Sequence, residues 1–215
     1  MSKEIKTEGQ AQQEPEVEQT ERVHIVTLSK PYTFEGKEYA EIDLGGLEAL
    51  TIQDAIDAQT DLFGQQEVAT SLLCETTSAF AMAIAAKATG LPIEFFKLMP
   101  IGAGRKVKRA VQEHVRKSEN KGTVMRLKSP YCFKGETYKE FDFAPIADMN
   151  MMQESAAENA MTMEGVIITE NSFNYLYACI IAGMALKKPK ELFTGLPLSE
   201  LLNLKEAVNT SDFFE

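Results

Sequence analysis

The sequence predicts an α+β protein, mostly α, made of two tandem repeats. Each repeat is an N-terminal β-hairpin followed by a small helical bundle. Three observations carry that prediction. The stretch Leu28-Ser29-Lys30-Pro31-Tyr32-Thr33-Phe34-Glu35-Gly36-Lys37-Glu38-Tyr39-Ala40-Glu41-Ile42-Asp43-Leu44 returns without a gap when 99 is added to each number, ending at Phe143. Leu, Pro, Tyr, Phe, Gly, Tyr, Glu and Asp hold their places in both copies, and self-similarity at a fixed period organises a fold. Downstream, helical landmarks recur with 97 added: Phe80 with Tyr177, Ile84 with Ile181, Pro92 with Pro189, Phe96 with Phe193, Pro100 with Pro197 and Val111 with Val208. A two-residue deletion between hairpin and helix reconciles 99 with 97, and loops accept such changes at small entropic cost. Within each copy the apolar pattern passes from alternation to helical spacing.

The elements follow in order. Residues 1–22 carry six Glu against Lys3, Lys6 and Arg22 and have almost nothing to bury, so a disordered acidic tail is expected. The first repeat is assigned to 23–117. Val23 to Leu28 is β-branched and alternating, and Tyr32 and Phe34, two apart, share a strand face. Glu35-Gly36-Lys37 supplies the turn, with Gly36 giving the positive φ of a tight hairpin. A returning strand runs to Leu44. Thr51 and Asp54 then form a capping box, with Leu50 as the preceding apolar residue. In the second copy Asn150 and Gln153 solve the same capping problem with different side chains.

The apolar face of Val68, Leu72, Leu73, Phe80, Ile84 and their neighbours predicts the longest helix, over 66–89. Gly90 ends it, and Pro92 opens a short helix carrying Phe95 and Phe96. Pro100 and Gly102-Ala103-Gly104 break the chain before a basic helix, from Arg105 to about Arg116. Ser118 to Gly122, all polar, is the linker (118–122), and the second repeat fills 123–215.

Composition narrows the function classes. The chain has 215 residues, 44% of them hydrophobic, a net charge of -10 and a pI near 4.9. That balance argues against nucleic acid as the default partner. The N-terminal MSKEIKTEGQ lacks the apolar core of a signal peptide. Tyr175–Leu186, the most apolar run, is too short to span a bilayer and fits a buried helix. A protein of the cytoplasm, not the membrane, is expected. Cys74, Cys132 and Cys179 are scattered and odd in number, as suits free thiols in a reducing compartment. With only His24 and His114 and no C-x-x-C, no metal or other cofactor is expected.

Catalytic signatures are missing. Glu41 with Asp43, and Glu140 with Asp142, each place two carboxylates on one strand face, a pairing that acid–base or metal chemistry could use. No histidine or third ligand accompanies them, so a solvated face is the simpler account and a small carboxylate-dependent enzyme the lesser one. Gly102-Ala103-Gly104-Arg105-Lys106 opens a helix like a miniature phosphate cradle, but it lacks the P-loop spacing and follows a helix.

The features that suit a binding protein are on the helices. Arg105, Lys106, Lys108, Arg109, Arg116, Lys117 and Lys121 stand against Glu113 and Glu119, so 105–121 is net 7 - 2 = +5 in an acidic chain. This is a solvated face that attracts the acidic tail, a seat for an acidic partner segment, or, third, a nucleic-acid contact, which the missing interleaved aromatics disfavour. The second copy instead has Met149, Met151, Met152, Met161 and Met163, flexible side chains that fill a core or adapt to varied partner surfaces. Arg105, Lys106, Arg109, Met149, Met152, Met161 and Met163 are the candidate partner-binding residues.

The repeated pattern Leu-x-x-Pro-Tyr-x-Phe-x-Gly-x-x-Tyr-x-Glu-(Ile/Phe)-Asp-(Leu/Phe), with Ala88-Thr89-Gly90-Leu91-Pro92 after the long helix, resembles the tail assembly chaperones of tailed bacteriophages. The resemblance covers most of 23–113 and, more loosely, 122–209, where Lys187-Lys188-Pro189 departs from it. It implies a hairpin followed by a helical bundle and no catalytic residues. It also implies a protein client in the host cell cytoplasm: the long, helical, aggregation-prone tape-measure protein, held until the tail tube forms around it. The tail tube protein and self-association are further partners in that picture. The duplication departs from the usual single unit. A virion component of tail or head completion is the alternative.

Overall fold

The computed structural model describes residues 24–65, 73–116, 118, 122–166 and 170–209. The acidic N-terminal tail, Val68 and Leu72, most of the linker and the C-terminal hexapeptide lie outside the described residues.

Each half opens with an antiparallel hairpin. In the first, β1 (Ile25–Phe34) pairs with β2 (Lys37–Asp43); in the second, β3 (Val124–Phe133) pairs with β4 (Glu136–Asp142). The registers match at an offset of 99, from Ile25↔Asp43 and Val124↔Asp142 to Phe34↔Lys37 and Phe133↔Glu136. Glu35 and Gly36 both have positive φ, as do Lys134 and Gly135, so each turn has two left-handed residues and matches the strand twist. Both registers shift between the third and eighth residues of the first strand, Thr27/Tyr32 and Arg126/Tyr131. Pro31 and Pro130 fall in these irregular segments, where a residue without an N–H breaks no ladder. The irregularity also alters the expected alternation, so that Tyr39 packs inward while Ala40 is exposed.

The helices follow in parallel order. A 3-10 turn, Gly45–Ala49, leads to α1 (Ile52–Gly64), and Ala144–Asp148 leads to α5 (Met151–Met163). Both capping boxes form: the Thr51 amide donates to the Asp54 carboxylate at 2.9 Å, and the Asn150 amide to Gln153 Oε1 at 3.0 Å. Then come α2 (Ser78–Thr89), α3 (Ile93–Lys97) and α4 (Ile101–His114) in the first half. The second half has α6 (Tyr175–Leu186), α7 (Glu191–Thr194) and α8 (Leu201–Val208). The class is α+β and mostly helical, as the sequence predicts.

Three boundaries differ from the sequence expectation. The described part of the predicted 66–89 helix is not all α: Cys74–Thr76 is a 3-10 turn, and α2 starts at Ser78. Thr77 sets that start, because its Oγ1 accepts the Phe80 amide at 3.1 Å and its own backbone is extended. Gly102-Ala103-Gly104 does not break the chain; it forms the first turn of α4, since Pro100 fixes an extended N-cap one residue ahead of Ile101. The two-residue deletion falls after α5, because the offset is still 99 there and becomes 97 at the 3-10 turn Asn171–Phe173.

One continuous hydrophobic cluster runs through both halves. Leu44, Leu47, Phe80, Ile84 and Phe95 belong to it from the first half, and Phe143, Tyr175, Cys179 and Phe193 from the second. The α6 helix is buried on nearly all sides from Tyr175 to Gly183, which is why its sequence is apolar without a polar stripe. The join between halves is one-sided. The Gly45–Ala49 turn and α1 lie against α6, α7 and the 3-10 turn Leu198–Glu200. Ile52 N–H donates to the Leu196 carbonyl at 2.9 Å and Leu198 N–H to the Leu50 carbonyl at 2.8 Å. Gln59 bonds the Phe173 carbonyl at 3.0 Å and accepts the Tyr175 amide at 3.1 Å. Glu75 accepts from Tyr175 Oη at 2.7 Å and from Lys205 Nζ at 2.6 Å.

Candidate protein-binding surfaces

The residues repeated in the hairpins are structural. Tyr32 Oη donates to the Phe95 carbonyl at 3.1 Å, and Tyr32, Phe34 and Tyr39 all pack on the Phe95 ring. Asp43 accepts the Gly45 amide at 2.8 Å, and Asp142 accepts the Ala144 amide at 3.0 Å and Thr123 Oγ1 at 2.8 Å. The Ala144 amide, with Thr123, holds the Asp142 carboxyl below its ordinary pKa. These aspartates turn the chain from hairpin to 3-10 helix. Glu140 pairs with Arg126 at 3.6 Å on an exposed face. Asp43, Asp142 and Glu140 therefore have local structural partners.

Surfaces suited to a partner occur on the helices. A groove of about 500 Å3 opens along α2 and α4, lined by Met82, Phe96, Met99, Ile101, Arg105 and Lys108. Ile101 is 72% exposed, which is unusual for a residue of that size and polarity. Beside it, a shallower trough of about 270 Å3 runs between α1 and α2, floored by Ala58, Leu62, Ala79, Ala83 and Ala86 with Ile93 at one end. At the corresponding positions on α6, Ala79 and Ala83 are replaced by Leu176 and Ile180, both buried. A third cleft, of about 520 Å3, lies in the second half between the start of α5 and the Glu170–Ser172 segment, lined by Ile146, Met149, Met151, Glu154 and Tyr177 among others.

The sequence candidates divide among these places. Arg105 lines the groove on α4. Lys106 does not: its ammonium donates to the Thr27 carbonyl at 2.9 Å and to Ser29 Oγ at 3.1 Å, tying α4 to β1. Arg109 is exposed on α4. Met149 lines the third cleft, and Met152 and Met163 are exposed on α5. Met161 is fully buried and belongs to the core, so it is corrected from the surface set. Helical spacing explains the split, since Met161 falls on the inward face with Ala157 and Met163 does not. Lys117 and Lys121 lie outside the described residues. Ile101 and Leu98, among the most exposed large apolar side chains described, were not singled out, because hydrophobicity alone does not distinguish them from core residues.

One cluster is invisible in the sequence. His24, Glu48 and His114 bring three possible ligand atoms within 4.8 Å of one another. His24 Nε2 is 2.7 Å from Glu48 Oε1, His114 Nδ1 is 3.8 Å from the same oxygen, and the rings meet edge to face at 5.3 Å. Such a set could hold a divalent cation. Its hydrogen bond already gives it a structural role, fastening β1, the first 3-10 turn and α4. Burial pulls the His114 pKa below its ordinary value, against the opposing pull of Glu48. Burial pushes the Cys74 thiol up to about 12 and the Cys179 thiol up as well. Cys132 is exposed.

The first half thus carries an apolar groove and an apolar trough side by side, both bordered by charged residues. Among the described residues no helix is long and apolar enough to cross a membrane. Residues 25–116 match the family model described as phage tail assembly chaperone proteins, E, or 41 or 14. Over these residues, fewer than half of the 215, the chain is similar to that family. The match ends at the close of α4 and leaves the second half outside it. No curated protein and no solved structure matches the chain.

Proposed function

We propose that this chain binds the tape-measure protein in the host cytoplasm and keeps it soluble until the tail tube polymerises, with the tail tube protein as a second partner at handover. It acts by holding a client, not by catalysis. The observation that carries this reading is the alanine-floored trough between α1 and α2, within the family-matched half. Small residues let a client helix approach closely, and helix-in-groove docking needs an apolar trough of this kind. Lys97 and Asp61 stand on its rim, while Lys87 is bridged to Asp54 and Asp57, so the rim is of mixed charge. Arg109, Met152 and Met163 are further contacts in this proposal, being exposed on α4 and α5. The units 23–117 and 123–215, joined by 118–122, remain the division we propose.

Co-expression tests it. The parent chain is expected to raise the soluble yield of the tape-measure protein and to co-purify with it. Filling the trough with the second half's own residues, Ala79→Leu with Ala83→Ile, is expected to abolish both effects. A soluble yield unchanged by the parent chain would overturn the proposal. Recovery of the chain in purified virions would point instead to a structural component of the particle.

A further inference from the structure

The join inside the chain uses two different faces, and each of them occurs a second time without a cover among the described residues. The first half contributes the start of α1, with Leu50, Ile52 and Gln59. The second half contributes a seat built from α6, α7 and the Leu196–Leu198 segment, with Lys205 of α8 bound to Glu75 of the first half. Subtracting 97 from the join residues Tyr175, Leu196, Leu198 and Lys205 gives Ser78, Met99, Ile101 and Lys108, all of which line the 500 Å3 groove. Adding 99 to Leu50, Ile52 and Ala55 gives Met149, Met151 and Glu154, all of which line the 520 Å3 cleft. The exposures follow suit. Ile52 and Leu198 are 0% exposed at the join, whereas their counterparts Met151 and Ile101 are 74% and 72% exposed. The join also satisfies the amides of Ile52 and Leu198, which open helical turns and have no intrahelical acceptor. Among the described residues the amides of Met151 and Ile101 have no acceptor. Asn171 Oδ1, a buried acceptor on a residue lining the cleft, has no partner either.

We infer that a second copy of this chain fills these surfaces: the groove on the first half of one copy receives the start of α5 of the next, repeating between chains the join made within one. Met151 N–H then meets the Met99 carbonyl of the next copy, and that copy's Ile101 N–H meets the Met149 carbonyl, the counterparts of the two in-chain bonds. The substitutions between the two versions are complementary. Where α1 presents Ala55 and Gln59, α5 presents Glu154 and Glu158. Where the second half has Leu202, the groove has Arg105, beside Lys108. Acids on one face thus meet bases on the other, and charge replaces part of the apolar contact. A more polar, charge-matched version of a permanent contact is a reversible and salt-sensitive one. Because the two faces differ, the contact is head-to-tail, and copies add beyond two unless the rotation closes a ring.

Sedimentation of the full chain without client tests this and is separate from the tape-measure proposal. The mass-average is expected to rise past the dimer with concentration at low salt, with affinity falling by about tenfold or more at high salt. Ile101→Glu blocks the groove and Met151→Glu blocks the α5 end; both positions are exposed, so both variants are expected to fold. Each alone is expected to be monomeric, and their mixture to give a one-to-one dimer that grows no further, since each retains the face that the other lost. In a single chain, Arg105→Glu combined with Glu154→Arg is expected to restore growth that either change alone removes. A parent chain that stays monomeric, association untouched by both blocking variants, or a mixture that remains monomeric while the charge-swapped chain also fails, would overturn the inference. A groove occupied by a client helix instead would produce the first of these results.

Discussion

His114 shows how a residue's setting fixes its contribution. Its ring is held beside His24 and Glu48, and burial is the largest influence on it, lowering its pKa from the ordinary 6.5. The folded state therefore resists the proton that the unfolded state accepts. Below about pH 6.5 the unfolded chain binds more protons, so stability falls as pH drops, until the folded pKa is passed and the loss levels off. Urea unfolding followed from pH 7 to pH 5 is expected to show this loss, and His114→Gln to flatten it. An unchanged slope in the variant would assign the loss to other groups. Neither histidine's role was legible in the sequence, because ninety residues separate them and only the packing of α4 against the hairpin brings them together. The repeated Asp43 and Asp142 were legible as recurring, but not as turn caps until the amides of Gly45 and Ala144 were located.

At the scale of elements, local chemistry was read well and tertiary limits were not. The hairpins follow from Pro, aromatic alternation and Gly. Both α1 and α5 start where their capping residues stand, and α6 spans the apolar run Tyr175–Leu186. The start of α2 was missed, because apolar spacing continues through Leu73 while Thr77 caps the helix four residues later. Packing between elements supplies a sharper test. A Cβ on Gly46 would stand 1.9 Å from the Ala88 carbonyl oxygen at the end of α2, and backbone cannot yield as a side chain can. The counterpart of Gly46 is Pro145, so the second 3-10 turn meets its helix differently. Gly46→Ala is expected to destabilise the protein by about 1–3 kcal/mol in chemical unfolding, and a cost under about 0.5 kcal/mol would show that the turn shifts freely.

For the whole molecule, one apolar cluster includes residues of both halves. Glu75 of the first half is nearly buried between Tyr175 and Lys205 of the second. Removing its carboxylate leaves a confined ammonium without its partner, a loss of about 3–5 kcal/mol. Glu75→Ala is expected to lower stability by that order, yet to leave unfolding as one transition, because the apolar cluster still spans both halves. Two separated transitions in the parent chain would contradict a shared core. The matching residues at offsets of 99 and 97 were visible in the sequence, but the one-sided join was not: aligned positions such as Ile52 and Met151 look equally apolar, and only the structure shows one covered and the other open.

The central claim is that the first half holds a client helix in its alanine-floored trough. The most direct measurement is the amount of tape-measure protein that co-purifies with the parent chain and with the Ala79→Leu, Ala83→Ile variant, at equal chaperone yield. The account predicts a stoichiometric complex for the parent and at least a tenfold loss for the variant. Equal recovery by both would contradict it.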